Sequence, residues 1–438
     1  MALPSSGPLT FADIQTEFGG SNPISLSEYY AGGGLVPAGT TGTYGAVPSS
    51  GQISVQNFYG TSNAPPTIAS KAFITSTNDS SSYRTEGTAG TISGSSISLS
   101  NLGQLVASQA SSSVGLSVCF DSVNQVFVYV YKDNTDSNKG KVVIVTPNTA
   151  FTSMSIGTPV TFDSSAISYP LVTYIGSGKV CIIYQDEGNN DYATSIIGTV
   201  AGTSITLGSQ VVVQTSPAGI RSDCVGISSN GAGGILYAYM DGATGYGYVR
   251  AATTSGTVPT WGSAVAFESS ATARYAALAY STSASKYALV YQTQNPGDAD
   301  GFGRVVTVSG TTITLSSVTT YETGSVVGNA IAYDPTNNAF AVLYNDVSVG
   351  DAYVVKATMG TTLSYSSRTQ FRTGIAVQAT GVNGVTSSSG IGKVVGVNFN
   401  GTSVVTRVID ISGSTPTVGT SQTVQSASGF YAPSISSS

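Results

Sequence analysis

Eleven of the chain's 22 acidic residues fall in polar stretches that each follow an apolar, strand-like run: Asp79, Asp133, Asp136, Asp186, Glu187, Asp191, Asp241, Asp298, Asp300, Asp346 and Asp351. Tyr83, Tyr192, Tyr246, Phe302 and Tyr353 stand among them. In pairs, carboxylates act as general acid and base at a glycosidic bond; singly, they hydrogen-bond sugar hydroxyls while neighbouring rings stack on sugar faces. They also bridge Ca²⁺, or form a solvated rim that keeps a charge-poor chain in solution. Asp133, Asp136, Asp186, Asp191, Tyr192, Asp298 and Asp300 are the ligand-binding candidates on this pattern.

The chain has no His, which removes imidazole bases and His-ligated metals. Sialidase-type propeller enzymes carry repeated Ser-x-Asp-x-Gly-x-Thr-Trp boxes and an arginine cluster. Here there is one Trp, Trp261, no such box, and eight scattered Arg. A non-enzymatic chain without catalytic residues, metal or cofactor is therefore expected. Cys119, Cys181 and Cys224 are far apart, odd in number and without CxxC spacing, so they are read as small buried hydrophobes. With 16 basic residues against 22 acidic and no Lys/Arg run, nucleic-acid binding is disfavoured. The opening "MALPSSGPLT" has neither a basic nor an apolar leader, and no stretch nears the roughly 18 apolar residues of a membrane span. Assembly in a cytoplasm, without membrane insertion, is expected.

The acidic loops need a regular scaffold, and the chain supplies one by repetition. "VCFDSVNQVFVYVYKD" (118–133), "VTYIGSGKVCIIYQD" (172–186), "LAYSTSASKYALVYQT" (278–293) and "IAYDPTNNAFAVLYND" (331–346) are versions of one phrase, with looser copies at 225–241 and 385–400. Aligned on the aromatic near its end, the phrase gives Tyr131, Tyr184, Tyr239, Tyr291, Tyr344 and Phe399, at steps of 53, 55, 52, 53 and 55 residues. The ring column is expected to fill space between repeats, and the Asp two residues after several of these rings to accept turn hydrogen bonds. Each phrase is followed by a polar loop and two further strands, as in "SIIGTVAGTSITLGSQVVVQTS" (195–216). Four short strands in a period of about 50 residues mark a β-propeller blade. With only 9% charged residues and 52 Gly, the class is all-β.

Two fragments are left over. Residues 71–109 read as strands two to four of a blade without its first, and "FYAPSISSS" at the end reads as a first strand without its second. Pairing them closes a seven-bladed ring and removes the open edges. The blades are expected near 71–112 with 430–438, then 114–165, 169–216, 222–270, 275–324, 329–374 and 378–428.

Residues 1–60 follow another grammar, with 61–70 as a linker. "PSSGPLTFADI" (4–14) and "PSSGQISVQNF" (48–58) are two copies of one sentence, and "NPISLSEYYAG" (22–32) is a partial third. Thr10 with Asp13 and Ser25 with Glu28 read as capped helix starts, stopped by Gly19 and Gly60. Phe11, Ile14, Phe18, Tyr29, Tyr30, Phe58 and Tyr59 are expected to lack a core of their own and to dock onto a partner. "SGPLTFADIQTEFGGSNPISLSEYYAGGG" followed by "VPSSGQISVQNFYG" resembles the N-terminal module of virion structural proteins of tailed bacteriophages, marine and cyanobacterial phages in particular. The resemblance covers about 60 of 438 residues. It implies a chain located on the virion and attached to other virion proteins through this segment. The propeller would then serve, as in a tail fibre, to recognise a host-surface glycan or receptor, or decorate capsid or neck as a purely structural part. A polysaccharide-degrading propeller is the third reading, and homo-oligomerisation is left open.

Overall fold

A computed structural model describes residues 3–31, 35–36, 40–61, 71–78, 84–106, 116–148, 151–215, 225–294, 299–374, 383–388, 391–399, 403–426 and 430–437. The chain divides into two compact units, one of Met1–Ile68 with Val123–Gln125 and the other of Ala69–Ser122 and Val126–Ser438.

The small unit is organised by three capped helical turns. Thr10 Oγ1 accepts the Asp13 N–H at 3.2 Å while Asp13 Oδ2 accepts the Thr10 N–H at 2.8 Å, a reciprocal box that starts the helix Phe11–Phe18. Gly19, at φ 81°, ends it where a side chain would be strained. Ser25 accepts the Ser27 N–H at the start of the 3₁₀ turn Leu26–Tyr29, and Ser54 donates its N–H to Asn57 Oδ1 at the start of Val55–Phe58. The expectation that the apolar residues here lack a core is corrected. Ile14, Phe18, Tyr29 and Phe58 are buried together with Leu3, Val36 and Val47. Phe58 meets Phe18 and Tyr29 edge-on, at centroid distances of 6.0 and 6.2 Å. The reason is geometric: the rings Phe18, Tyr29 and Phe58 each sit at the last position of a short turn, so three turns too short to be stable alone supply one cluster. Thr61, placed in the expected linker, is buried and bonded to Phe58 O and Leu3 N, so it belongs to the unit; 62–70 lies outside the described residues.

The second unit is all-β and propeller-like. Phe430–Ser437, Lys71–Asn78, Arg84–Ser93 and Ser96–Val106 form one antiparallel sheet in that order. The register of its first pair runs from Ala72↔Ser437 to Asn78↔Phe430, with a bulge opposite Pro433, which has no N–H to donate to a ladder. Four further sheets repeat one plan. In the sheet of Thr272–Ser281, Lys286–Gln294 and Gly301–Ser309, both Thr312–Leu315 and Thr319–Glu322 pair with the third strand, as two halves of one outer strand. The sheets beginning at Val225–Ser229, Val326–Asp334 and Asn383–Ser388 are built the same way. Between them in sequence, the long strand Val160–Gly176 pairs first with Lys139–Pro147 and then with Lys179–Asp186, joining two repeats into a nine-stranded sheet.

Apolar side chains alternate along the second strands, and each face packs on a neighbouring repeat. Tyr184, Tyr239, Tyr291 and Tyr344 all point toward the preceding repeat, and Tyr131 shares its face with Tyr129, whose hydroxyl meets Thr85 Oγ1 at 3.0 Å. Phe399 is the exception to the expected column. Asn398 occupies the corresponding face, bonding Asn345 Oδ1 at 2.9 Å, because letter matching follows ring type whereas the strand period of two assigns the face.

Two glycine patterns hold the repeats together. Gly157, Gly208 and Gly262 interrupt their outer strands where a Cβ would come 2.4, 2.5 and 2.6 Å from the carbonyl oxygens of Thr203, Thr257 and Thr311, each in a hairpin turn of the following repeat. Gly419 stands in the same relation to Ser95, at 1.9 Å. Further in, Gly140, Gly247 and Gly301 begin third strands where the rings of Phe162, Phe267 and Tyr321 lie flat against the backbone. Gly247→Ala would set a Cβ 2.3 Å from Phe267 Cζ, so it is expected to cost about 1–3 kcal/mol by overpacking. Adding Phe267→Leu should recover part of that loss, a coupling that a double-mutant cycle of thermal melts would read directly.

First strands also touch one another in sequence order, and Phe430–Ser437 lies against both Asn383–Ser388 and Leu116–Asp121.

Candidate functional site

Asp79 lies outside the described residues; among those described, the polar loops between second and third strands hold the expected acidic residues, and the local turns use most of them. Asp133, Asp186, Asp241 and Asp346 each accept the N–H two residues on, from Thr135, Gly188, Ala243 and Ser348, at 3.0, 3.0, 2.8 and 3.0 Å. This is the turn that a short acidic side chain builds with its own backbone. Asp136 is held by Lys139 at 2.7 Å and Lys141 at 2.6 Å, whose hydrogen bonds lower its pKa. Asp300 accepts the Gly324 N–H at 2.8 Å, and Asp298 lies outside the described residues.

Asp186 is buried. Its pKa is raised first by that burial and then by the charge of Asp163, a second buried carboxylate that accepts from Tyr184 OH at 2.8 Å and Gln210 Nε2 at 3.0 Å. Asp191 and Tyr192 differ from the rest. They follow Asn190 in a run of left-handed backbone and stay half-exposed, and their side chains make no hydrogen bond among the described residues.

The letter pattern of the loops alone misses the acids at the ends of the outer strands. Asp163, Glu268 and Glu322 receive the hydroxyls of Tyr184, Tyr291 and Tyr344 from the next repeat, at 2.8, 3.5 and 2.6 Å. The signal is present in the sequence, as the aromatic–acid pairs Phe162-Asp163, Phe267-Glu268 and Tyr321-Glu322. The tightest assembly centres on Arg368, which donates to Glu322 at 2.8 Å and to Asp346 at 2.9 Å and lies 4.1 Å above the ring of Tyr353. Burial works against this guanidinium, but the two carboxylates outweigh it and hold its pKa above the ordinary arginine value. Arg368 thereby occupies the Tyr353 ring face and neutralises two largely buried acids.

Among the described residues, these loops are thus hydrogen-bonded turns and closed ion pairs, with Asp191 and Tyr192 left without a side-chain hydrogen bond. No group of three or more His, Cys, Asp and Glu able to hold a metal occurs among the described residues. Among the described residues, no helix is long and apolar enough to cross a membrane.

Fold and repeat together define a propeller-like repeat protein. No protein-family model and no curated protein matches the chain. Solved structures do. A hypothetical selenium-binding protein from Sulfolobus tokodaii is similar at TM-score 0.54 and 8% identity, over 84% of this chain and 94% of that one. An alpha-L-arabinanase of Penicillium chrysogenum complexed with arabinobiose matches at TM-score 0.45 and 11% identity, over 68% and 93%. The lectin of Aleuria aurantia, in complex with alpha-methyl-L-fucoside, matches at TM-score 0.43 and 12% identity, over 71% and 95%. At such identities the likeness is one of fold. The expectation of a chain with no enzymatic role is nevertheless corrected, because its premises exclude no enzyme. The exclusion rested on missing His and sialidase boxes, and carboxylate pairs hydrolyse glycosidic bonds without either.

Proposed function

We propose that the second unit is a seven-bladed ring closed by Phe430–Ser437, and that the chain is a tailed-phage virion protein. Its small unit attaches it to the particle, and its propeller recognises a host-surface glycan. Closure is supported by the Gly419–Ser95 approach, which repeats at the junction of last and first sheets the contact made by Gly157, Gly208 and Gly262 inside the array. Attachment rests on the resemblance of residues 4–60 to phage virion modules and on the aromatic surface the small unit keeps outside its core. Phe11 and Tyr44 are 44% and 55% exposed, and Tyr44 packs edge-on against half-buried Tyr59 at 5.8 Å. Tyr30 is also half-buried, its hydroxyl donating to Gly51 O.

The observation that carries glycan recognition is that Asp191 and Tyr192, adjacent in sequence and both half-exposed, make no side-chain hydrogen bond among the described residues, leaving a carboxylate and a ring of the kinds that bond and stack on a sugar. Asp191→Ala with Tyr192→Ala is expected to lower adsorption of the purified chain to host cells at least tenfold. Asp133→Ala, which removes only a turn acceptor, should leave adsorption unchanged. Equal adsorption by the first variant would remove the recognition reading and leave a purely structural part in capsid or neck. Reducing-sugar release, followed in the same incubation, reads hydrolysis directly.

A further inference from the structure

We propose that Arg372 and Arg407 form an anion-binding subsite between the sheets of residues 326–373 and 383–426, suited to the carboxylate or sulfate groups of an acidic saccharide. The anion part stands on the geometry below; the saccharide part rests on the function proposed above.

Arg372 is pinned by neutral acceptors alone. Its Nη1 donates to Asn398 O at 3.3 Å and Ser403 O at 3.1 Å, and its Nη2 to Ser403 Oγ at 2.8 Å. Arg407 lies 6.0 Å over the ring of Phe371, the residue preceding Arg372, and its Nε is buried without a hydrogen-bond partner. Neither guanidinium is ion-paired with a carboxylate among the described residues. Arg368, four residues before Arg372, shows the contrast, since it is closed by Glu322 and Asp346.

Composition points the same way. From Ala352 to Ser438 the sequence holds one acid, Asp410, and five cations: Lys356, Arg368, Arg372, Lys393 and Arg407. Asp410 is already taken by Lys393. In a chain of net charge −6 this stretch is locally positive. Arg407 lies over the ring of Phe371, next to Arg372 in the chain, and burial first and then the charge of Arg407 depress the pKa of Arg372. Partly burying unpaired like charges costs stability and contributes nothing to packing that an apolar side chain would not supply. An incoming anion relieves both costs, and the planar guanidinium fork matches carboxylate and sulfate bidentately.

The test uses the full chain on immobilised polygalacturonate, dextran sulfate and neutral dextran at low salt. The intact protein is expected to be retained on the two charged matrices and not on dextran. Arg407→Gln should weaken that retention at least tenfold, and Arg407→Lys, which keeps the charge but not the fork, should restore only part of it. In buffer without saccharide, Arg407→Gln should melt no lower than the intact chain, because it removes repulsion and breaks no hydrogen bond. Retention unchanged by Arg407→Gln, a lower melting temperature in that variant, or equal retention on dextran each overturns the subsite. Equal binding of a poly(dT) oligonucleotide overturns the assignment to saccharide. Charged-matrix selectivity that survives Asp191→Ala with Tyr192→Ala upholds the subsite even if the loop-face reading fails.

Discussion

A chain lacking residues 430–438 is expected to melt far below the intact protein, with a loss on the order of 4 kcal/mol or more from the uncovering of buried side chains. The last strand covers Lys71–Asn78, setting Ile435 opposite Ile74 and Ser437 opposite Ala72. Ala72, Phe73 and Ile74 are fully buried. Ile435 also packs with Val395 and Val408 of the last sheet, and a Cβ on Gly384 would stand 2.8 Å from it. Its removal would therefore strip an apolar face, open a sheet edge and loosen the junction of the two ends together. Gly419→Ala attacks the same junction without deleting anything, because its Cβ would fall 1.9 Å from Ser95 O, a backbone atom that cannot rotate away. It should lower the melting temperature in the same direction, by about 1–3 kcal/mol of stability. Calorimetry on the three proteins, with a synthetic 430–438 peptide added back to the truncated one, gives the answer. Truncation without effect, or a peptide that restores nothing, would sink the closed ring.

The second large effect is expected at Arg368. Arg368→Ala leaves Asp346 and Glu322, with side-chain exposures of 4% and 14%, facing each other without a cation. Stranding buried charges in this way costs about 3 kcal/mol, somewhat less here because Arg368 itself is partly exposed. Arg368→Lys should recover part of the loss, since a single ammonium cannot span two carboxylates as a guanidinium does. Equal melting temperatures for Arg368→Ala and the intact chain would rule out this account.

Much of this is legible in the sequence. The repeat at 53, 55 and 52 residues places the second strands, and the sequence likeness of 71–109 to the later repeats anticipates the pairing of Lys71–Asn78 with Phe430–Ser437. Capping in the first unit was equally visible, because a cap is a contact over three residues: Thr10 with Asp13 is written locally. The column of Tyr131, Tyr184, Tyr239, Tyr291 and Tyr344 was readable, yet its sixth member slipped by one position, since a strand of seven residues with Asn398 and Phe399 side by side carries no local mark of which one faces inward.

What the sequence determined by itself is everything with short reach: an all-β class, the period, the turn-forming role open to Asp133, Asp186, Asp241 and Asp346, and the helical turns of the first unit. Tertiary structure alone decided which polar groups were consumed and which left over. That Glu322 meets Tyr344 and Arg368, that Ile14, Phe18, Tyr29 and Phe58 share a core, and that Arg372 and Arg407 pair with no acid among the described residues are facts about residues far apart in the chain, or across two sheets. The physical reason is that a hydrogen bond or ion pair is settled by distances of about 3 Å, and only packing of whole sheets brings such partners within that range.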